Sequence, residues 1–271
     1  MSDSQTLWRF PGTRGAAALV LAYLYIPIVV LVVLSFSNSD SPLANWQGFS
    51  LRWYGVMAGD ADMMRALRNS CAVATVATLC GTAIALTAAL ATSSERFKGQ
   101  GVAETVIGLP LIVPDIVAAI AILMFFVIVG VPLGLASLFL AHTMISIPIA
   151  YLPVRARLQG LDRSFMEAAA DLYAAPWQSF RRITLPLIWP GIVSGAMLAF
   201  VGSLGDVVIS YFISGPGATT LPVYVFSMVR MGVTPSVNAV STVLIAASVT
   251  LVTFAYLLER FSERSRNVVE G

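Results

Sequence analysis

The chain has 271 residues, of which 58% are hydrophobic and 11% charged, with a mean hydropathy of +0.84. An ordinary soluble domain carries about 25% charged residues, and a water-soluble fold of this length could not hide so much apolar surface. Composition therefore excludes a soluble globular protein and implies an integral membrane protein, whose formal net charge of +2 matters less than how the charges divide between the two sides.

A helix crossing the bilayer needs about 20 mostly apolar residues. The first such stretch is Gly15 to Phe36, too long and too poor in a cleavage site for a signal peptide, so it is expected to remain as an anchor. A second runs from about Asn69 to Thr92. It holds Cys71 and Cys80, which read as buried thiols and not as a disulfide framework. Lys98, the single lysine, is followed by Gly99, so the GxxxxGK[ST] phosphate loop is absent and any ATP must be bound elsewhere. Between Glu104 and Arg155 only Asp115 and His142 can carry charge, and that interval has room for two spans punctuated by "VGVPLGLAS". A fifth span covers about Ile188 to Phe212 and a sixth about Ser236 to Leu258. The expectation is an all-α protein of six spans, with residues 1–14 and 259–271 as terminal segments flanking a membrane domain over 15–258.

Cationic residues orient such a chain. With both ends inside, the inner segments hold 12 of them and the outer loops hold only Arg52, Arg65, Arg68 and Arg230. This bias predicts cytoplasmic termini and a cytoplasmic loop over residues 155–187.

That loop contains "EAAADLYAAPWQSFRRITLP", Glu167 to Pro186. Phe165, Ala168, Ala169 and Leu172 recur at helical spacing and make one apolar face. Pro176 suits the first turn of a second short helix, Trp177 to Ile183, which Pro186 is expected to end. Trp177, Phe180, Ile183 and Thr184 share a face of it. Patterning alone leaves two readings open: a docking element for another protein, or an interfacial helix resting on headgroups.

Carboxylates in the hydrocarbon core cost about 2.5–3.5 kcal/mol on insertion scales and so usually face a cavity or a partner. Asp115 in "PLIVPDIV" lies beside Pro110 and Pro114, which free backbone carbonyls. Broken helix survives at membrane depth only where protein or water satisfies it, so Asp115 reads as part of a cation path, the alternatives being a structural hydrogen bond to a neighbouring helix or a place nearer the interface. Asp206 in "GSLGDVVIS" follows Gly202, Ser203 and Gly205, which allow close helix approach or a break. Tyr211, five residues on, could offer a ring face to an ammonium group, with core packing as the alternative. His142 reads as a hydrogen-bonded interior side chain, the alternative being a proton relay. Trp46, Trp53 and Tyr54 read as headgroup-level anchors.

Glu167-Ala168-Ala169, with Ile183, Leu185 and Pro186 at their distances, resembles the EAA loop of permease subunits of ABC importers. The stretches "AYLYIPIVVLVVLSF", "NWQGFSLRWYG", "PDIVAAIAIL" and "SGPGATTLPVYVFSMVRMGVTPSVNA" narrow the resemblance to permeases of spermidine/putrescine importers, nearly end to end. The resemblance implies the type I importer permease fold in a bacterial inner membrane. It further implies a second permease subunit, a cytoplasmic ATPase dimer that holds the ATP and Mg, a periplasmic polyamine-binding protein and a polyamine cargo. This chain itself would carry no cofactor, metal or catalytic residue and bind no nucleic acid. The implied ATPase contact runs over Glu167, Ala168, Ala169, Asp171, Tyr173, Pro176, Trp177, Phe180, Ile183, Leu185 and Pro186, while Asp115, Asp206 and Tyr211, read from the residues themselves, are the candidates for the cargo path. Two positions depart from the family pattern. Tyr173 stands where Gly is usual, a substitution expected to cost on the order of 1 kcal/mol if the turn is left-handed. Gly205 stands where the first of a paired acid is usual. Rival readings are an ABC permease for another small solute and an ion-coupled secondary transporter; no convincing internal repeat supports the latter.

Overall fold

The computed structural model describes residues 13–41, 46–93, 97–162, 164–231 and 235–267. The described helices are α1 (Thr13–Ser35), α2 (Arg52–Gly59), α3 (Ala61–Ser93), α4 (Gln100–Ile112), α5 (Asp115–Val129), α6 (Leu135–Gln159), α7 (Ser164–Asp171), α8 (Pro176–Ser179), α9 (Leu185–Gly205), α10 (Val208–Ile213), α11 (Leu221–Met231) and α12 (Pro235–Asn267). A five-residue π-turn, Phe180–Thr184, joins α8 to α9. Five helical stretches are long and apolar enough to cross a membrane, and α4 with α5 makes a sixth if that bent pair is one crossing. The expected six spans are met if that bent pair is one crossing, and five of them stand without it.

Two units make up the chain, one of Met1–Ala61 with Ser227–Ala246 and one of Asp62–Phe226 with Ala247–Gly271. In the first, α1 buries none of its apolar window within the chain, as befits a helix whose neighbours are lipid or other subunits. Its end is tied down by a bridge between Ser37 and Phe49, by Phe36 stacked on Phe49 at 5.6 Å, and by Ser35 Oγ bonding the Tyr54 hydroxyl at 2.8 Å.

The second unit is built along α6. One core cluster gathers Val73, Ala119, Ile122, Phe126, Leu138, Ala141, Ile209 and Ile213 around its first half. Another packs Ala85, Ala89, Tyr151, Val154, Ile188 and Ala199 around its second half. Lipid gives helices no hydrophobic reason to associate, so small residues that let backbones approach closely must supply the contact. Gly195 of α9 does so: a Cβ there would lie 2.8 Å from the Ala150 carbonyl oxygen of α6.

Three boundaries differ from the sequence expectation. The second span starts earlier, at Ala61, so Arg65 and Arg68 ride on the first turns of α3 and not in a loop. The fifth span ends at Gly205 and not near Phe212, because Asp206 takes an extended conformation (φ −68°, ψ 127°) and the chain restarts as α10. Pro186 does not end the short helix. Leu185 donates its N–H five residues back to the Phe180 carbonyl, the wide π-turn absorbs the irregularity, and Pro186, which needs no donor in the first turn of α9, lets the helix continue. In α7 only Ala169 is buried, and Phe165 and Leu172 of the anticipated apolar face lie exposed.

Candidate functional site

The break between α4 and α5 is where the prolines place it. Val113 and Pro114 are both extended (ψ 130° and 135°), because a residue preceding proline is pushed out of the α region. The two helices meet at 109°. Pro110 is accommodated inside α4. Asp115 is the first residue of α5, and Asp206 precedes α10, so each acid stands where a helix restarts. Partial positive charge at such ends favours a carboxylate. For Asp206 the bonds are explicit: Oδ2 accepts the Ser210 N–H at 2.7 Å and Oδ1 the Ile209 N–H at 3.3 Å.

These two acids, 91 residues apart in the chain, line one cavity of about 410 Å3. That lies within the roughly 300–1,000 Å3 of small-molecule sites. His142, Ser146 and Ser203 add polar groups, and Ile145, Ile149 and Val208 supply apolar wall. Among the described residues, no lysine or arginine contributes to the lining. Carboxylates set among apolar wall suit a cation with an aliphatic body. Tyr211 is not among the lining residues; it is half exposed and packs edge-on against Phe212 and Phe226, both at 5.9 Å. His142 is buried at 3% exposure and hydrogen-bonded, Nδ1 with Ser203 Oγ at 2.7 Å and Nε2 with Ser210 Oγ at 3.1 Å. Its Nε2 also lies 3.6 Å from Asp206 Oδ2.

The polar loop forms a helical hairpin as its pattern anticipates. Asp162 Oδ1 accepts the Ser164 N–H at 2.9 Å ahead of α7, and its bonds to Ser164 hold its carboxyl below the usual carboxylate range. The end of α7 is a Schellman motif: Ala174 N–H reaches the Ala169 carbonyl at 3.0 Å and Tyr173 N–H the Ala170 carbonyl at 2.9 Å. Such a motif needs a left-handed residue, and Tyr173 takes it with φ +53°. It is the one described residue besides glycine with positive φ. The turn keeps its left-handed geometry despite the missing glycine, with the Tyr173 side chain 97% exposed. Leu172 (82%) and Trp177 (66%) are exposed beside it in the chain, and Trp177 leans on Phe180 at 5.5 Å. Several apolar side chains thus stand out around a tight turn.

Sequence reasoning missed a polar clasp. Arg155 pairs with Glu104 at 2.7 Å, Gln100 bonds both Glu104 (2.9 Å) and the Thr92 carbonyl (2.7 Å), and Thr92 bonds the Tyr151 hydroxyl at 2.9 Å. The clasp ties α3, α4 and α6 just before the loop begins. Its one sequence signal was a Glu and an Arg at opposite ends of a nearly uncharged interval. The stretch from Ser214, which has no generic motive as a sequence, is partly explained as well. A Cβ at Gly215 would collide with the Leu133 carbonyl. Asn69 Nδ2 donates to the Gly217 and Thr219 carbonyls at 3.0 Å each, and Ser70 Oγ accepts the Leu221 N–H at 2.7 Å.

Broken helices, an acid-lined cavity and an exposed helical hairpin in an apolar chain suit a membrane transport subunit. The chain belongs to the family of binding-protein-dependent transport system inner membrane components, whose pattern matches residues 81–268. Among curated relatives it is 37% identical over 246 residues to the spermidine/putrescine transport system permease protein PotC of Escherichia coli K12, covering 91% of this chain and 93% of that one. It is 40% identical over 254 residues to the putrescine transport system permease protein PotI of the same strain, covering 90% and 89%. The fold matches a bacterial ABC transporter that imports the acidic polysaccharide alginate (TM-score 0.69, 16% identity, 91% and 92% covered). It also matches the MetNI methionine ABC transporter (TM-score 0.60, 21% identity, 76% and 95% covered). This is the type I ABC importer permease fold.

Proposed function

We propose that this chain is the permease subunit of an ATP-driven polyamine importer, forming part of the path for putrescine or spermidine. The observation that carries the reading is the convergence of Asp115 and Asp206 on one cavity, with no competing cationic side chain in its wall among the described residues. A polyamine is a run of methylenes with separated ammonium groups, and passage asks for spaced carboxylates that admit it without trapping it. The names of the relatives point to the same cargo.

In this reading both termini and the loop over 155–187 face the cytoplasm. The hairpin from Glu167 to Pro186, with Leu172, Tyr173 and Trp177 at its exposed end, inserts into an ATPase subunit that binds the nucleotide. A second permease completes the path, and a periplasmic binding protein delivers the cargo. Closure of the ATPase dimer would move the hairpin, and α9 would carry that motion to the Asp206 break through the continuous helix from Pro176 to Gly205. The test is uptake by the complete importer in proteoliposomes. Putrescine and spermidine should be taken up with ATP inside and should compete with each other. Uptake of neither, or uptake driven by an ion gradient without the ATPase, would overturn the reading.

A further inference from the structure

His142 is tied to both sides of the break that carries Asp206, and nothing in the transport reading above uses it. From α6 it reaches Ser203 on α9 at 2.7 Å and Ser210 on α10 at 3.1 Å, with Asp206 Oδ2 3.6 Å from Nε2. We propose that His142 sets the charge a cationic guest meets at Asp206: neutral, it holds the carboxylate open to the guest, and protonated, it takes the guest's place.

The bonds allow this because serine hydroxyls both donate and accept. With the imidazole proton on Nε2, that nitrogen donates to Ser210 Oγ and Nδ1 accepts from the Ser203 hydroxyl. With the proton on Nδ1 the two roles exchange. With both nitrogens protonated, each donates to its serine and no partner is lost. The hydroxyls rotate, the ring stays, and only the charge changes.

Asp206 cannot withdraw from that charge, since its oxygens are held by the N–H groups of Ile209 and Ser210. An imidazolium 3.6 Å away would therefore cancel the carboxylate and repel an incoming ammonium. On α9 no residue is titratable, and on α10 Tyr211 packs edge-on against Phe212 and Phe226. Across the cavity stands Asp115 on α5, which adds negative charge and no cation. On α3, Asp62, Arg65 and Arg68 lie in its first two turns, and Cys71 and Cys80 are exposed, not buried as expected from the sequence. On α4, Glu104 is taken by Arg155. On α6 itself, Arg155 and Arg157 follow 13 and 15 residues later, about 20 Å along the helix.

The inference rests on the polyamine reading, and the experiment separates the two. The complete importer in proteoliposomes is assayed for putrescine uptake between about pH 8 and pH 5. Wild-type uptake at pH 8 reports the cargo; its absence sinks the polyamine reading and this inference with it. The expected result is a putrescine KM that rises at least about twofold by the acid end of this range in wild type, with Vmax nearly constant. His142→Gln, uncharged at every pH and able to bond a serine, should lose the acid-side rise whatever its KM at pH 8. His142→Ala should lose the rise too and have a higher KM at pH 8, through loosened Ser203 and Ser210, while binding-protein-stimulated ATP hydrolysis persists. A flat wild-type KM, or a rise that persists in His142→Gln, overturns the proposal. So does a wild-type KM in His142→Ala at pH 8.

Discussion

Tyr173 holds a conformation that its side chain disfavours, in a turn whose two hydrogen bonds require it. For a residue with a Cβ the left-handed region costs about 1–2 kcal/mol, and with its ring 97% exposed the residue gains no packing within the chain to offset this. Tyr173→Gly should therefore slow amide exchange at Tyr173 and Ala174 by a factor of about five, the equivalent of about 1 kcal/mol. Unchanged exchange would mean that the turn bears no strain. Asp206→Asn keeps the size and removes the charge. Putrescine uptake by the assembled importer should fall at least about tenfold while ATP is still hydrolysed, and unchanged uptake kinetics would take Asp206 out of the path. At this scale much was legible. Both acids stood out because charge in a hydrocarbon stretch needs a reason, and the cost at Tyr173 followed from one missing glycine. The cavity that joins the acids was not legible, because no local pattern links positions 91 residues apart.

Among the elements, the hairpin offers a cleaner test than its motif suggests. Ala169 is buried at 4%, in the turn that anchors Ala174, so Ala169→Asp would bury an unpaired carboxylate and disturb the hairpin itself. Glu167 and Leu172 are exposed. Glu167→Lys and Leu172→Asp should leave the helical bundle intact and reduce co-purification of the ATPase by about tenfold, as exposed contacts in an interface centre do. Full retention in both variants would count against docking. Acid would not mimic this loss near neutral pH. The Asp162 carboxyl sits below its ordinary value of 3.8, so its contribution to folding is complete above that value and fades only as pH falls further. Any pH dependence of uptake between 5 and 8 therefore does not originate in this cap. The helices of the hairpin and the Pro114 break were readable from spacing and proline chemistry. The continuation through Pro186 was not, because a π-turn leaves no periodic trace in five residues.

At the scale of the whole molecule, α6 is the element about which the larger unit is built, and its contacts depend on small residues. Gly195→Ala should lower the melting temperature of the purified importer, at a cost of about 1–3 kcal/mol for forcing α9 away from Ala150. An unchanged melting temperature would mean that the helices part freely there. Six spans could be counted from apolar length alone, since lipid imposes that length. Where a span bends or stops could be read only at the proline. Gly205 and Asp206 gave no equally strong signal, so the fifth span was expected to run on toward Phe212 and instead ends at the acid.

The wide turn at Phe180–Thr184 also bears on how force enters the membrane. Regular α pitch would pass any twist of the hairpin straight up a stiff rod. If the hairpin docks on an ATPase as proposed, a loop of backbone holding one residue more than that pitch requires would act as slack between the hairpin and α9. Deleting Ile183 would let the ladder close in even steps and take out that play, leaving a linkage that answers its motor earlier and tolerates less misalignment.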